Sequence, residues 1–503
     1  MPVARRPDAP RSATDDPGSR EQRRAVPQTL RRLNSGIEGL DQILGGGLVA
    51  DSTYIIQGHP GSGKTILANQ VAFHQASQGA SVLYVTLLAE AHERLFAFLS
   101  TLDFYDPSML GRQVNYISAF SIMEHEGLDG VVRLLRREIP RQKPTLLVID
   151  GLLNAREKAT SALDMKKFIA ELQNHAASVH CTALLLTSAR FEDSSPEYTM
   201  VDGIIELREE ELGVRSMRRL RVRKLRGSAA LGGLHQYAIG PGGLVTFPRT
   251  EALLARPLQP EEPSAERTTS GIAEIDQILG GGLSRGSTTL LIGPSGAGKT
   301  SWGLHFLAGA PSEPALHFGF YESPQRLHAK ATALGLDLAP SLNAGSLSLE
   351  WRPSAELLAD AVVGELLRMA AERGVKRLFL DGLGVLERSL STHQRFSPFL
   401  SVLVGELRAR GITVLTTLEM SELFGTTPHL ASPEILSTVD NIVLMRLMER
   451  DGRIHRVFSV VKTRNNDFEP ALHDFEITSQ GIRIFNRLLG KSFAPTFQRG
   501  DPA

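Results

Sequence analysis

This 503-residue sequence predicts two tandem α/β domains, each a mostly parallel twisted sheet flanked by helices. Three observations lead there. Ser35-Gly-Ile-Glu-Gly-Leu-Asp-Gln-Ile-Leu-Gly-Gly-Gly-Leu48 returns as Ser270-Gly-Ile-Ala-Glu-Ile-Asp-Gln-Ile-Leu-Gly-Gly-Gly-Leu283, 235 positions later. A glycine-rich motif, Gly58 to Thr65, returns at the same offset as Gly293 to Thr300. Short apolar runs alternate with helical patterns in both halves. So long a period means a duplicated domain, since solenoid repeats are far shorter.

Each element follows from its pattern. In the first half, strands are expected at Ser52–Gln57, Val82–Thr86, Thr145–Asp150 and Thr182–Ser188. Helices are expected at Thr65–Gln78, Leu128–Arg137 and Leu163–Ser178. The second half repeats the order. Its strands are Ser287–Ile292, Ala315–Phe320, Arg377–Asp381 and Thr413–Leu418, and its helices Thr300–Ala308, Ala355–Arg373 and Ser397–Arg410. Apolar strands separated by helices read as a parallel sheet covered on both faces, a doubly wound domain.

The halves are expected at 28–255 and 268–490. Residues 256–267 carry Pro257, Pro260 and Pro263, which suit an extended linker. Residues 1–27 are rich in Arg, Pro and Asp, the composition of a disordered leader, and 491–503 form a tail. The first 32 residues hold eight Arg against four acids. A solvated leader is favoured over an arm for an acidic partner.

Composition narrows the function. Lys+Arg and Asp+Glu balance at 55 each, so no global basic field draws nucleic acid. The single cysteine, Cys181, lies in an apolar run and suits core packing. The 14 histidines form no ligand-spaced cluster. The N-terminus lacks a secretory apolar region, and no run reaches the ~18–20 residues of a membrane span. A cytoplasmic protein without a membrane partner is expected.

Gly58-His-Pro-Gly-Ser-Gly63-Lys64-Thr65 and Gly293-Pro-Ser-Gly-Ala-Gly298-Lys299-Thr300 both match the P-loop pattern G-x-x-x-x-G-K-[ST]. Glycines let the backbone curl so that its N–H groups face phosphate oxygens, and the following helix directs its positive end at them. The nucleotide-contacting sets are Gly58, Gly61, Ser62, Gly63, Lys64, Thr65 and Ile66, and Gly293, Gly296, Ala297, Gly298, Lys299, Thr300 and Ser301. ATP with Mg²⁺ is the expected ligand. The lysines reach the β- and γ-phosphates, and the hydroxyls of Thr65 and Thr300 hold Mg²⁺ with the strand-terminal Asp150 and Asp381. A base must also orient the nucleophile. Glu90 and Glu322 each follow a strand, and each precedes an Arg-Leu pair by four residues, which makes them equivalent candidates.

With these motifs in place, the chain resembles the KaiC-like branch of the RecA superfamily, the circadian-clock ATPases and their bacterial and archaeal relatives. The resemblance covers about residues 28–490. It implies two tandem RecA-like P-loop NTPase domains in a homohexameric double ring, with ATP between neighbouring subunits. It implies a slow ATPase whose nucleotide state governs binding of a signalling protein. It places a trans-acting Lys-x-Arg late in each domain, matched by Lys224-Leu-Arg226 and Lys462-Thr-Arg464. The competing reading of these cations is an alternating solvent face, since Arg219, Arg221 and Arg223 share the period.

The sequence departs from the family at two adjacent catalytic glutamates. Leu88-Ala89-Glu90 and Phe320-Tyr321-Glu322 keep one each, and Tyr321 takes the place of the usual base. The family's autophosphorylated Ser-Thr pair is matched by Ser437-Thr438, one residue closer to Asp440 than in the family pattern. A polar turn is the competing reading there. Two other functions stand beside the leading one: an ATPase driven by single-stranded DNA, and a nucleotide-gated scaffold without turnover. The first needs basic loops with stacking aromatics, and only 6% of residues are aromatic.

Overall fold

The computed structural model describes residues 30–188, 195–212, 215–255, 264–390, 392–420, 433–450, 452–464, 468–469 and 471–487. The expected leader and tail, and 256–263 of the expected linker, lie outside the described residues.

Among the described residues, each half builds a nine-stranded sheet beside a short two-stranded one. In the first, the strands are β1 (Thr53–Gly58), β2 (Val82–Thr86), β3 (Val114–Ser118), β4 (Leu146–Asp150), β5 (Thr182–Thr187), β6 (Gly203–Leu212), β7 (Arg215–Leu225), β8 (His235–Gly240) and β9 (Gly243–Phe247). Their spatial order is β3-β2-β4-β5-β1-β6-β7-β8-β9. In the second half, β10 (Thr288–Gly293), β11 (Ala315–Gly319), β12 (Leu347–Trp351), β13 (Arg377–Asp381), β14 (Thr413–Glu419), β15 (Asn441–Arg450), β16 (Arg453–Lys462), β17 (His473–Thr478) and β18 (Gly481–Arg487) repeat that order. Six strands of each nine-stranded sheet run parallel, and the last three add on antiparallel.

The parallel strands alternate side chains between two covered faces. In β1, Tyr54 and Ile56 enter one core and Ile55 the other, all at most 1% exposed. This is why these strands read as continuous apolar runs. The edge strands β3 and β12 were not anticipated. Only their first residue is fully buried, so no apolar run marks them. The helix expected at 128–137 belongs to a longer one, Phe120–Gln142, interrupted at Gly127, whose φ of 64° only glycine adopts readily. Cys181 is buried in the core, and burial pushes its thiol up to about 12.

The halves meet through a polar clasp. Arg395 donates to both oxygens of Glu251, each at 2.7 Å, and to Asp360 at 3.0 and 3.1 Å. Asp360 also accepts from the backbone N–H and hydroxyl of Thr250 at 2.9 and 3.0 Å. Thr250 and Glu251 come from the first half, Asp360 and Arg395 from the second.

Candidate phosphate-binding sites

Both P-loops lie between the first strand of their domain and the helix that follows, Lys64–Ser77 or Lys299–Ala308. Gly61, Gly63, Gly296 and Gly298 have φ of 82°, 89°, 80° and 100°, a left-handed path that points successive N–H groups into one concavity. Gly58 and Gly293 are required by space. An added Cβ would come within 2.5 Å of Leu207 O or Met445 O.

The lysines fold back into their loops. Lys64 Nζ donates to the carbonyls of Gly58 and His59 at 2.8 and 2.9 Å, and Lys299 Nζ to those of Gly293 and Pro294, both at 2.7 Å. An ammonium has three donors, so one remains for a phosphate. Burial lowers the pKa of both lysines, opposed by Asp150 at Lys64 and by Glu419 and Asp381 at Lys299. Ser62, Ala297 and Ser301 are buried, and Ile66 packs on the core.

The threonines meet the strand-terminal aspartates. Thr65 Oγ1 donates to Asp150 at 3.0 Å, and Thr300 Oγ1 to Asp381 at 3.0 Å. Burial raises the pKa of both carboxyls, with the hydroxyl donors and the P-loop lysine pulling the other way. A hydroxyl and a carboxylate side by side form the hard-oxygen pair that suits Mg²⁺ sharing its shell with phosphates and water. Among the described residues, no group of three or more His, Cys, Asp or Glu could hold a metal ion unaided.

Several partners of these groups escaped the sequence reading. Tyr84 donates to Asp150 at 3.1 Å, and Tyr237 anchors the first P-loop by donating to Ser62 O at 2.7 Å. In the second site Thr417 donates to Asp381 at 2.6 Å, and Arg456 Nε donates to Gly296 O at 3.1 Å. Lys330 and Glu419 line the cavity with Lys299 and Asp381. None belongs to a local motif; sheet register brings most of them in, and Lys330 reaches in from the helix Pro324–Ala333.

The candidate bases differ in setting. Glu90 is exposed and pairs loosely with Arg94 at 3.5 Å. Glu322 is less exposed, lines the second cavity and pairs with Lys330. Thr86 and Gly319 occupy the same sheet step, opposite Asp150 and Asp381. Glu90 lies four residues past that step and Glu322 three. Their match therefore holds counted from the following helix and slips by one counted from the strand. Leu88 and Tyr321 share the place over the glycine after the aspartate, Gly151 or Gly382.

The Lys-x-Arg pairs engage their own domain's short helix. Lys224 donates to Tyr198 O and Thr199 O at 3.0 and 3.2 Å, and Arg226 to Thr199 O and Asp202 at 3.3 and 3.4 Å. Lys462 donates to Leu436 O and Val439 O at 2.7 and 2.8 Å, and Arg464 contacts Ser437 O and Asp440. Cations at helix C-terminal carbonyls are favourable. Burial, then the neighbouring Arg, lowers the pKa of both lysines. Ser437 and Thr438 end the helix Pro433–Thr438, with Ser437 exposed.

Arg219 and Arg221 share one face of β7 yet differ in burial, Arg219 lying buried against Glu210 at 3.2 Å and Arg221 exposed, so the alternating cations do not form a uniform solvent face. Among the described residues, no helix is long and apolar enough to cross a membrane.

Comparison with known proteins agrees with this geometry. The chain is 24% identical over 479 residues to the circadian clock oscillator protein KaiC of Prochlorococcus marinus, covering 92% of each chain. It is 25% identical over 484 residues to that of Rippkaea orientalis, covering 91% of this chain and 89% of the relative. The circadian clock protein KaiC3 of Synechocystis is 25% identical over 478 residues, covering 90% and 92%. The family model described as "ATPase: KaiC" matches residues 33–251 and again 268–488. The chain belongs to the KaiC ATPase family.

Proposed function

We propose that each half binds Mg-ATP and hydrolyses it slowly, and that the nucleotide state sets the protein's affinity for a signalling partner. One observation carries this reading. The same constellation occurs twice: a lysine inside a left-handed glycine loop, and a threonine hydroxyl on a buried strand-end aspartate. Gly61, Gly63, Lys64 and Thr65, with Asp150, would hold ATP in the first site. Gly296, Gly298, Lys299 and Thr300, with Asp381, would do so in the second. Bound Mg²⁺ would neutralise charge on the phosphate oxygens. The chain's own part is to position the phosphates, desolvate them and orient water through Glu90 and Glu322. Leu88 and Tyr321 supply no carboxylate beside those glutamates, which favours slow turnover.

The trans roles of Lys224, Arg226, Lys462 and Arg464 belong to the same proposal. They would serve the site of the next subunit in a homohexameric ring. A second reading adds serine/threonine autokinase activity. It is favoured by the exposure of Ser437 on the helix that Lys462 and Arg464 hold. DNA-stimulated turnover is not favoured.

ATP turnover, molecular mass with and without ATP, and intact mass after incubation test these readings. Turnover in a six-subunit particle supports the proposal. ATP binding without turnover would leave a nucleotide-gated scaffold. No added phosphate would remove the autokinase.

A further inference from the structure

We propose that Lys330 is a phosphate-binding residue of the second site, a cation from within the chain that reads the terminal phosphate of ATP. The inference rests on the reading that the second P-loop holds ATP.

Lys330 belongs to the helix Pro324–Ala333, which follows Glu322 directly. Helical side chains lean toward the helix N-terminus. Lys330 leans back in this way and pairs with Glu322. Both line one cavity of about 340 Å³ with Lys299, Thr300, Asp381 and Glu419. Lys330 is therefore an element of the phosphate cavity and not a distant surface lysine.

Charge explains why the cavity needs it. Lys299 and Lys330 face three carboxylates, those of Glu322, Asp381 and Glu419. Glu419 is also close enough to act on Lys299. Without Lys330, one ammonium would face three carboxylates as a triphosphate entered. The ammonium has donors to spare beyond Glu322, so Glu322 can steer it toward phosphate without consuming it.

The first half carries no cation at the matching helical position. The residue six places along its matching helix, His92–Leu99, is Phe98, which is 57% exposed with the Arg94 guanidinium 5.5 Å from its ring centre. The duplicated sites thus differ in built-in charge at one helical position. A cation at the end of the phosphate chain should favour triphosphate over diphosphate in the second site.

Calorimetric titration with ATP and with ADP, each with Mg²⁺, tests this on the full chain carrying Lys64→Ala, so that the second site reports alone. Lys330→Gln should weaken ATP by about 10- to 100-fold, the range of a lost charge-assisted hydrogen bond. ADP should weaken by less than about threefold, and Lys330→Arg should retain most of the preference. Equal losses for ATP and ADP, or no loss, would overturn the proposal. Folding is checked by Lys330→Gln in a chain with an intact first site, which must still bind ATP there. The reverse graft, Phe98→Lys with Lys299→Ala, should raise the first site's preference for ATP; if Lys330→Gln will not fold, an unchanged preference in this graft overturns the proposal. Loss of both nucleotides from the second site in Lys299→Ala upholds the underlying reading whatever Lys330 does. If Lys299→Ala leaves that binding intact, the underlying reading fails instead.

Discussion

The two halves hold the same aspartate by opposite neighbours. In the first, Asp150 is steadied by Tyr84 from β2; in the second, Asp381 is steadied by Thr417 from β14. β2 and β14 flank the aspartate strand on different sides. The second half puts His317 at the place of Tyr84, edge-on to Phe379 with ring centres 5.3 Å apart. The first has Leu186 at the place of Thr417. Duplication preserved strand order and the donor to the carboxylate while the strand supplying that donor changed. The P-loops show the same exchange: Tyr237 anchors one through its hydroxyl, whereas Phe475 at the matching place has none and Arg456 holds the other loop.

The largest test of this comparison asks whether the halves bind independently. Lys64→Ala and Lys299→Ala should each cut ATP stoichiometry from two to one per chain, with loss at the altered site of about 100-fold or more. Loss of both sites from either change would show the halves to be one coupled unit.

Next come the candidate bases, each read with the other site disabled. Glu322→Gln should lower turnover by about 100-fold or more while sparing binding, the scale of general base catalysis. Glu90→Gln, at a more exposed carboxylate, should lower it by less than about tenfold. Equal effects would remove the distinction between the settings.

His317 gives a pH test. Burial pushes its pKa down to about 4. An unfolded histidine titrates near 6.5. Between these values the unfolded chain binds the extra proton, so stability falls as pH drops from about 6.5 to 4, by about 3 kcal/mol in total. His317→Leu should remove that share of the slope in denaturant titrations across this range. An unchanged slope would place the acid sensitivity on other groups.

The smallest effect concerns the loop anchor. Tyr237→Phe makes the first P-loop resemble the second and removes one hydrogen bond, worth about 1 kcal/mol. ATP should bind the first site about fivefold more weakly, with the second site unmoved.

Much of this was legible because it is local in sequence. The repeat, both P-loops, Asp150 and Asp381 lie in contiguous patterns whose chemistry dictates their spacing. Tyr84, Tyr237, Thr417 and Lys330 were not legible. Each gains its role from a register or a helical reach that no short motif encodes. The slip of one residue between Glu90 and Glu322 was hidden for a related reason: the Arg-Leu spacing follows the helix, while the aspartate belongs to the sheet. Position in the sequence left the Lys-x-Arg cations ambiguous, and the fold shows them capping carbonyls of their own domain.

The clasp between the halves bears on ionic strength. Arg395 is 13% exposed, Glu251 10% and Asp360 0%. Dissolved salt screens exposed pairs such as Arg133 with Glu126 and barely reaches pairs so shielded. Pulling the joint apart would exchange these shielded, charge-assisted hydrogen bonds for contacts with water, an exchange that dissolved ions influence little. Concentrated salt should therefore dissolve the surface ion pairs of each half long before it loosens one half from the other.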